Sequence, residues 1–205
     1  MRRKWLPSAT LALALALAAR PSHALVHDSS HFKGLSAFAL WETTDATGCI
    51  VTDALAAPVE NRSPGADGSG GAAVTIGFFV YDQCRFLELV AAEAFVDLGA
   101  GDFRANDSLT SATLDATVQL FDAVSSTTIP VTLALTWSGV GDVFRDDSRQ
   151  SLRFGGSSYV SRENGSSRDA AASGTFLVGT TNYAAGAVEF ANLSSSRNGI
   201  VSITR

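Results

Sequence analysis

Ser111-Ala112-Thr113-Leu114-Asp115-Ala116-Thr117-Val118-Gln119-Leu120 alternates polar and apolar side chains without a break. A period of two puts Ala112, Leu114, Ala116, Val118 and Leu120 on one face of a strand and the hydroxyls, Asp115 and Gln119 on the wet one. Val131, Leu133, Leu135 and Trp137 repeat the pattern after the polar link Ser125-Ser126-Thr127-Thr128, so the two segments predict an antiparallel hairpin. Ala72, Val74, Ile76, Phe78 and Val80 supply a third strand of the same kind.

Further segments extend the set. Residues 35–43 and 49–55 flank Asp45-Ala46-Thr47-Gly48, which is turn chemistry. Residues 170–178 keep Ala172, Gly174, Phe176 and Val178 on one parity. Residues 187–193 and 200–204 read as two short strands parted by the turn dipeptide Asn198-Gly199. Residues 85–98 have the Leu, Ala and Glu content of a helix, yet they lie between strands beside a cysteine, and a strand is expected. Residues 58–71, with Ser63-Pro64-Gly65-Ala66-Asp67-Gly68-Ser69-Gly70 among them, read as a flexible excursion inside a hairpin. Eight to ten short strands and no dependable helix predict one all-β domain over residues 25–205. An antiparallel sandwich, jelly-roll or similar, is the expected form, and a closed barrel the alternative.

Residues 1–24 are of a different kind. Arg2-Arg3-Lys4 is a basic start, residues 11–19 are an unbroken Leu/Ala run, and Pro21-Ser22-His23-Ala24 is a small-residue exit. Those are the three regions of a secretory signal peptide with cleavage after Ala24, by a general or a twin-arginine route. The apolar run is too short for a membrane anchor, and no later run approaches the ~20 residues of a spanning helix. Beyond residue 24 the chain keeps eleven basic residues against 20 acids, a formal charge of −9 compared with −5 overall. That balance argues against a nucleic-acid partner held by a general positive field. With 46% apolar and 17% charged residues, intrinsic disorder is excluded as well. Cys49 and Cys84 are the only thiols, and an oxidising compartment predicts their pairing. Two separate buried thiols, or one reactive cysteine, are the alternative.

Catalytic chemistry finds little purchase. His27 and His31 are the only histidines after the leader, and both are expected to precede the first strand. Two ligands at that spacing do not make a zinc site, and no Gly-x-Ser-x-Gly elbow accompanies them. Glu42, Glu60, Glu88, Glu93 and Glu189 are available for carboxylate catalysis, but the spacing selects no pair, and Glu88 and Glu93 are expected on opposite faces of a strand. Asp97, Asp102, Asn106 and Asp107, with Gly99 and Gly101, are a calcium candidate that turn-capping explains equally well. No other metal or cofactor is indicated.

One distribution stands out. Arg145, Arg149, Arg153, Arg162 and Arg168 are half of the ten arginines beyond the leader. The first three share a parity, and Phe144, Phe154 and Tyr159 lie among them. Arginine forks beside aromatic faces suit carboxylated or sulfated sugars. Yet Asp142, Asp146, Asp147, Glu163 and Asp169 balance the five cations, and a salt-laced polar strand protecting a sheet edge accounts for the same composition.

Leu135-Thr136-Trp137-Ser138-Gly139-Val140-Gly141 and Arg168-Asp169-Ala170-Ala171-Ala172-Ser173-Gly174-Thr175 resemble two signatures shared by secreted bacterial proteins of unassigned function. Gly48-Cys49-Ile50 and Tyr81-Asp82-Gln83-Cys84 are similar to that group's N-terminal half. The resemblance implies export, an all-β domain and a final hairpin, and it carries over no catalytic residue.

The leading functional expectation is therefore non-enzymatic. It is an exported, disulfide-stapled binding module for an extracellular glycan or envelope component, with Arg145, Arg149, Arg153 and Tyr159 as contacts. A secreted hydrolase or lyase working from carboxylates or from His27 and His31 is the alternative, and a surface or matrix component the third.

Overall fold

A computed structural model describes residues 26–63, 71–154 and 157–204. The 1–24 leader and residues 64–70 lie outside the described residues. The strands are β1 (Val26–Thr44), β2 (Ile50–Asn61), β3 (Gly71–Asp82), β4 (Leu87–Leu98), β5 (Phe103–Ala105), β6 (Ser111–Asp122), β7 (Thr127–Gly139), β8 (Phe144–Phe154), β9 (Ser157–Val178), β10 (Thr181–Asn182) and β11 (Phe190–Thr204). A single 3₁₀ turn, Tyr183–Ala185, joins the last two. Among the described residues no helix is long and apolar enough to cross a membrane.

The protein is all-β and antiparallel, and its pairing closes on itself. The ladder runs β9–β11–β1–β2–β3–β4–β6–β7 and returns to β9, a ring of eight strands. Its weakest seam is β4–β6, where only Ala92–Asp122 and Glu93–Phe121 pair. Burial alternates residue by residue along β6 and β7. The interior face carries Trp41, Trp137, Phe176, Leu35, Ile76, Leu133 and Leu193, each nearly or fully buried. Each buried aliphatic of this kind contributes about 1.5–3 kcal/mol. Trp137 also donates its indole N–H to the Phe38 carbonyl at 2.9 Å, tying β7 to β1 across the core.

Two turns share one construction. In Tyr81-Asp82-Gln83-Cys84-Arg85-Phe86 the Asp82 carboxylate accepts the N–H of Cys84 and of Arg85. In Phe121-Asp122-Ala123-Val124-Ser125-Ser126 the Asp122 carboxylate accepts those of Val124 and Ser125. Each turn ends on a residue in the left-handed region, Phe86 at φ 54° and Ser126 at φ 57°. The Cys49–Cys84 disulfide spans 35 residues and staples the β3–β4 turn to the β1–β2 turn, where Asp45 accepts the N–H groups of Cys49 and Ile50.

The structure differs from the sequence-based expectation in several places. Pro58 to Asn61 continue β2, pairing with Val74 to Gly71 of β3, where a flexible excursion is expected. Proline is tolerated because pairing to β1 lapses at Ala57 and Pro58, so its missing N–H is not called upon there. The Asn198-Gly199 dipeptide makes no turn: β11 runs straight through it, opposite Phe32 and His31 of β1 and Glu163 and Arg162 of β9. Two flanking ladders override the local turn preference, and residues 190–204 form one strand where two are expected. His27 and His31 do not precede the first strand; the β11 ladder extends β1 back through them, and their backbone lies opposite Ile203 and Gly199.

Beyond the ring, β1, β11, β9 and β8 continue as a four-stranded sheet. The edge of β9 is shared in sequence: its residues 170–178 pair with β7 and its residues 157–167 with β8.

Candidate functional site

The β8–β9 ladder sets Arg145 opposite Ser166, Asp147 opposite Asn164 and Arg149 opposite Arg162. Directly paired residues share a face, and so do alternate residues along a strand. Arg145, Arg149, Arg162 and Arg168 therefore stand on one side of the sheet together with one acid, Asp147, while Asp146, Glu163 and Asp169 stand on the other. The segment is neutral in composition and polarised in structure. Arg162 holds Asp147 at 3.3 Å. Arg168 serves the fold, donating to the Gly141 carbonyl at 3.0 Å.

The cationic face continues across the remaining strands. Arg197 of β11 lies opposite Asn164 of β9 and opposite Lys33 of β1. Arg62 follows β2 and donates its N–H to the Lys33 carbonyl at 2.8 Å. Lys33 and Arg197 extend the interior-facing parity of Leu35 and Leu193 past the end of the core. Asp107, from the loop before β6, reaches this row and pairs with Lys33 at 3.2 Å and Arg62 at 2.9 Å. The Lys33 hydrogen bond above all, together with the charges of Lys33, Arg62 and Arg197, holds the Asp107 carboxyl below its ordinary range. Glu60 takes Arg62's other nitrogen at 2.8 Å. Among the described residues no carboxylate lies within ion-pair distance of Arg145, Arg149 or Arg197.

A cavity of about 290 Å³ opens at this row, lined by Lys33, Asp107, Asn164, Ser166, Ser195, Ser196 and Arg197. A second depression, about 520 Å³ and mostly apolar, lies on the outer face between Phe38, Ala57, Pro58, Val59 and Phe190.

Of the expected contacts, Arg145 and Arg149 are exposed on the cationic face. In backbone register Arg153 lies opposite Ser158, and Tyr159 lies opposite Leu152, at the alternate parity to Arg149 and Arg162. The side chains of Arg153, Tyr159, His27 and His31 lie outside the described residues.

The residues of the calcium candidate make contacts within the protein. Asp102 accepts the N–H of Gly99 at 2.8 Å, Asn106 caps Thr110 and Ser111, and Asp107 faces cations. Among the described residues no three His, Cys, Asp or Glu side chains converge.

Glu88 and Glu93 are corrected to one face. The ladder shifts between Val80 and Tyr81, so Glu88 pairs with Tyr81 and Glu93 with Gly77, residues of one parity. They remain roughly 15 Å apart along the strand, too far for a catalytic pair. Two carboxylates are directly paired at Glu42 and Asp53. Burial raises the Asp53 carboxyl above its ordinary range, and its Oδ1 is buried without a hydrogen-bond partner.

Compared with protein-family models, curated proteins and solved structures, the chain matches none. The two signature runs meet in space: Leu135, Trp137 and Gly139 of β7 pair with Gly174, Ala172 and Ala170 of β9. Arg168 packs over Gly139, and Gly174 lies against the Ala134 carbonyl. Their visible work is packing.

Sequence reasoning passes over Lys33, Arg62, Asn164 and Arg197. The available signal is that Leu35–Lys33 and Leu193–Arg197 switch from apolar to cationic on one parity.

Proposed function

We propose that the protein is an exported binding module that takes an acidic extracellular glycan or envelope component on the face bearing Arg145 and Arg149, with Arg153 at the same parity toward the far end of the hairpin and Tyr159 beside it at the alternate parity. The observation that carries this reading is the pleat's separation of charge: arginines gather on one face of β8 and β9 and three acids on the other. A net-acidic chain gains nothing in foldability from placing Arg149 directly opposite Arg162, because like charges across a ladder are destabilising. Asp147 answers Arg162, and an anionic ligand would supply the counter-charge for Arg145 and Arg149. Guanidinium forks bind carboxylate and sulfate bidentately, which favours an acidic polysaccharide. Export, and kinship with the secreted proteins that share the two signatures, belong to the same proposal, and the disulfide is compatible with both.

The test is retention of the purified protein on an immobilised acidic polysaccharide. Replacing Arg145, Arg149 and Arg153 together by alanine is expected to abolish retention in moderate salt. Unaltered retention removes this face from consideration.

A secreted carboxylate hydrolase is the second reading, and the Glu42–Asp53 juxtaposition favours it. Two facing carboxylates are what glycoside cleavage requires. Release of reducing ends from a glycan, lost in Asp53→Asn, would promote this reading over the first.

A further inference from the structure

We infer that the cavity between Lys33, Asn164, Ser166, Ser195 and Arg197 is a binding pocket for a single oxyanion-bearing sugar residue, a uronate or a sulfate ester, and that Asp107 is the internal anion it displaces. The inference rests on the glycan-binding reading and locates where one residue of the ligand sits.

Three observations converge. Arg197 and Lys33 are directly opposite one another on β11 and β1, and Arg62 follows on β2. Three cations in one cross-strand row repel, and the structure relieves that repulsion with a loop carboxylate, Asp107, held by Lys33 and Arg62. An oxyanion already occupies the row, and it belongs to the chain itself. Next, the rest of the lining is neutral and hydrogen-bonding. Asn164 brings an amide, and Ser166 and Ser195 bring hydroxyls, all half-buried and on the same face as the cations. That combination matches a sugar ring, whose hydroxyls need donors and acceptors beside the charge. A bare inorganic anion would leave these groups with nothing to do. Finally, the volume of about 290 Å³ lies at the small end for ligand sites, which suits one ring and not a chain.

The pocket opens onto the proposed glycan surface. Two strand spacings, about 10 Å, separate β11 from β8. A polysaccharide seated at Arg197 therefore extends over Arg162 to Arg149, and both stand on the same face as the pocket.

Binding of the purified protein to polygalacturonate, dextran sulfate and neutral dextran at constant ionic strength provides the test. Wild type is expected to bind one or both acidic polymers and not dextran, and the pair of acidic polymers separates carboxylate from sulfate. Arg197→Ala and Asn164→Ala are expected to weaken that binding, Arg197→Ala by about tenfold or more. Asp107→Asn is expected to tighten it by about two- to fivefold, since the competing carboxylate is gone. A gain of affinity cannot be produced by misfolding. Unchanged affinity in Arg197→Ala and Asn164→Ala, with loss in Arg145→Ala/Arg149→Ala, overturns the pocket and leaves the glycan-binding reading standing. Binding of neutral dextran equal to the acidic polymers overturns the oxyanion. No binding to any glycan overturns both.

Discussion

Asp53 faces Glu42 across the β1–β2 ladder while its own Oδ1 is buried without a partner. Burial raises its carboxyl pKa in the folded chain above that in the unfolded chain. The folded state therefore binds the proton more tightly, and this group's contribution to stability improves as pH falls through the raised pKa. At neutral pH its charge is a cost. Asp53→Asn is expected to raise stability at pH 7 by about 0.2–1 kcal/mol, with the gain shrinking toward pH 4 in a series of thermal melts. Asp122 has the opposite sign. Ser125's hydroxyl and the backbone N–H groups of Ala91, Val124 and Ser125 hold its carboxyl low, so its support is present at neutral pH and lost as pH falls below the usual carboxylate range. Asp122→Ala is thus expected to destabilise at pH 7 and to matter least in acid. Phe86 is a different residue-scale liability, a bulky side chain 83% exposed at φ 54°. Phe86→Gly removes that strain, and a gain of roughly 1 kcal/mol in denaturant unfolding is expected.

At the scale of elements, β9 presses its backbone against β7 at Gly174. Its φ is 127°, and an added Cβ would lie 2.1 Å from the Ala134 carbonyl oxygen. Gly174→Ala is expected to cost roughly 3 kcal/mol or more, seen as a lower urea midpoint. Gly141 also has a positive φ, but open space surrounds it, so Gly141→Ala should cost about 1 kcal/mol. This scale also shows what the sequence can reveal. The β6–β7 hairpin is legible from its period of two, because one face is buried and the other wet along its whole length. The Asn198-Gly199 signal misleads because local turn chemistry competes with two continuous ladders and loses. The shared parity of Arg145, Arg149 and Arg153 is legible as well. The parity of Arg162 relative to Arg149 is not, because it depends on the register across the β8–β9 turn, and a shift of one residue would exchange the faces. The Lys33–Arg197 pairing brings together residues at opposite ends of the chain, and no local pattern announces it.

For the whole molecule, the ring is closed by hydrogen bonds but pinned covalently at one end only, where Cys49–Cys84 joins two turns. Replacing both cysteines by serine is expected to lower stability by about 3–4 kcal/mol while leaving the β-rich circular dichroism unchanged below the new melting point. The larger claim concerns where charge sits on a net-acidic body. If the pleat concentrates cations on one face, ligand affinity follows the face and not the total charge. Arg149→Gln and Glu163→Gln each remove one charge from the same hairpin, on opposite sides of the sheet. The direct measurement is the dissociation constant of each variant for an acidic polysaccharide at fixed ionic strength. Weakening by several-fold in Arg149→Gln with no change in Glu163→Gln is the predicted result. Equal and opposite changes in the two variants would mean that net charge alone governs binding and would contradict the account.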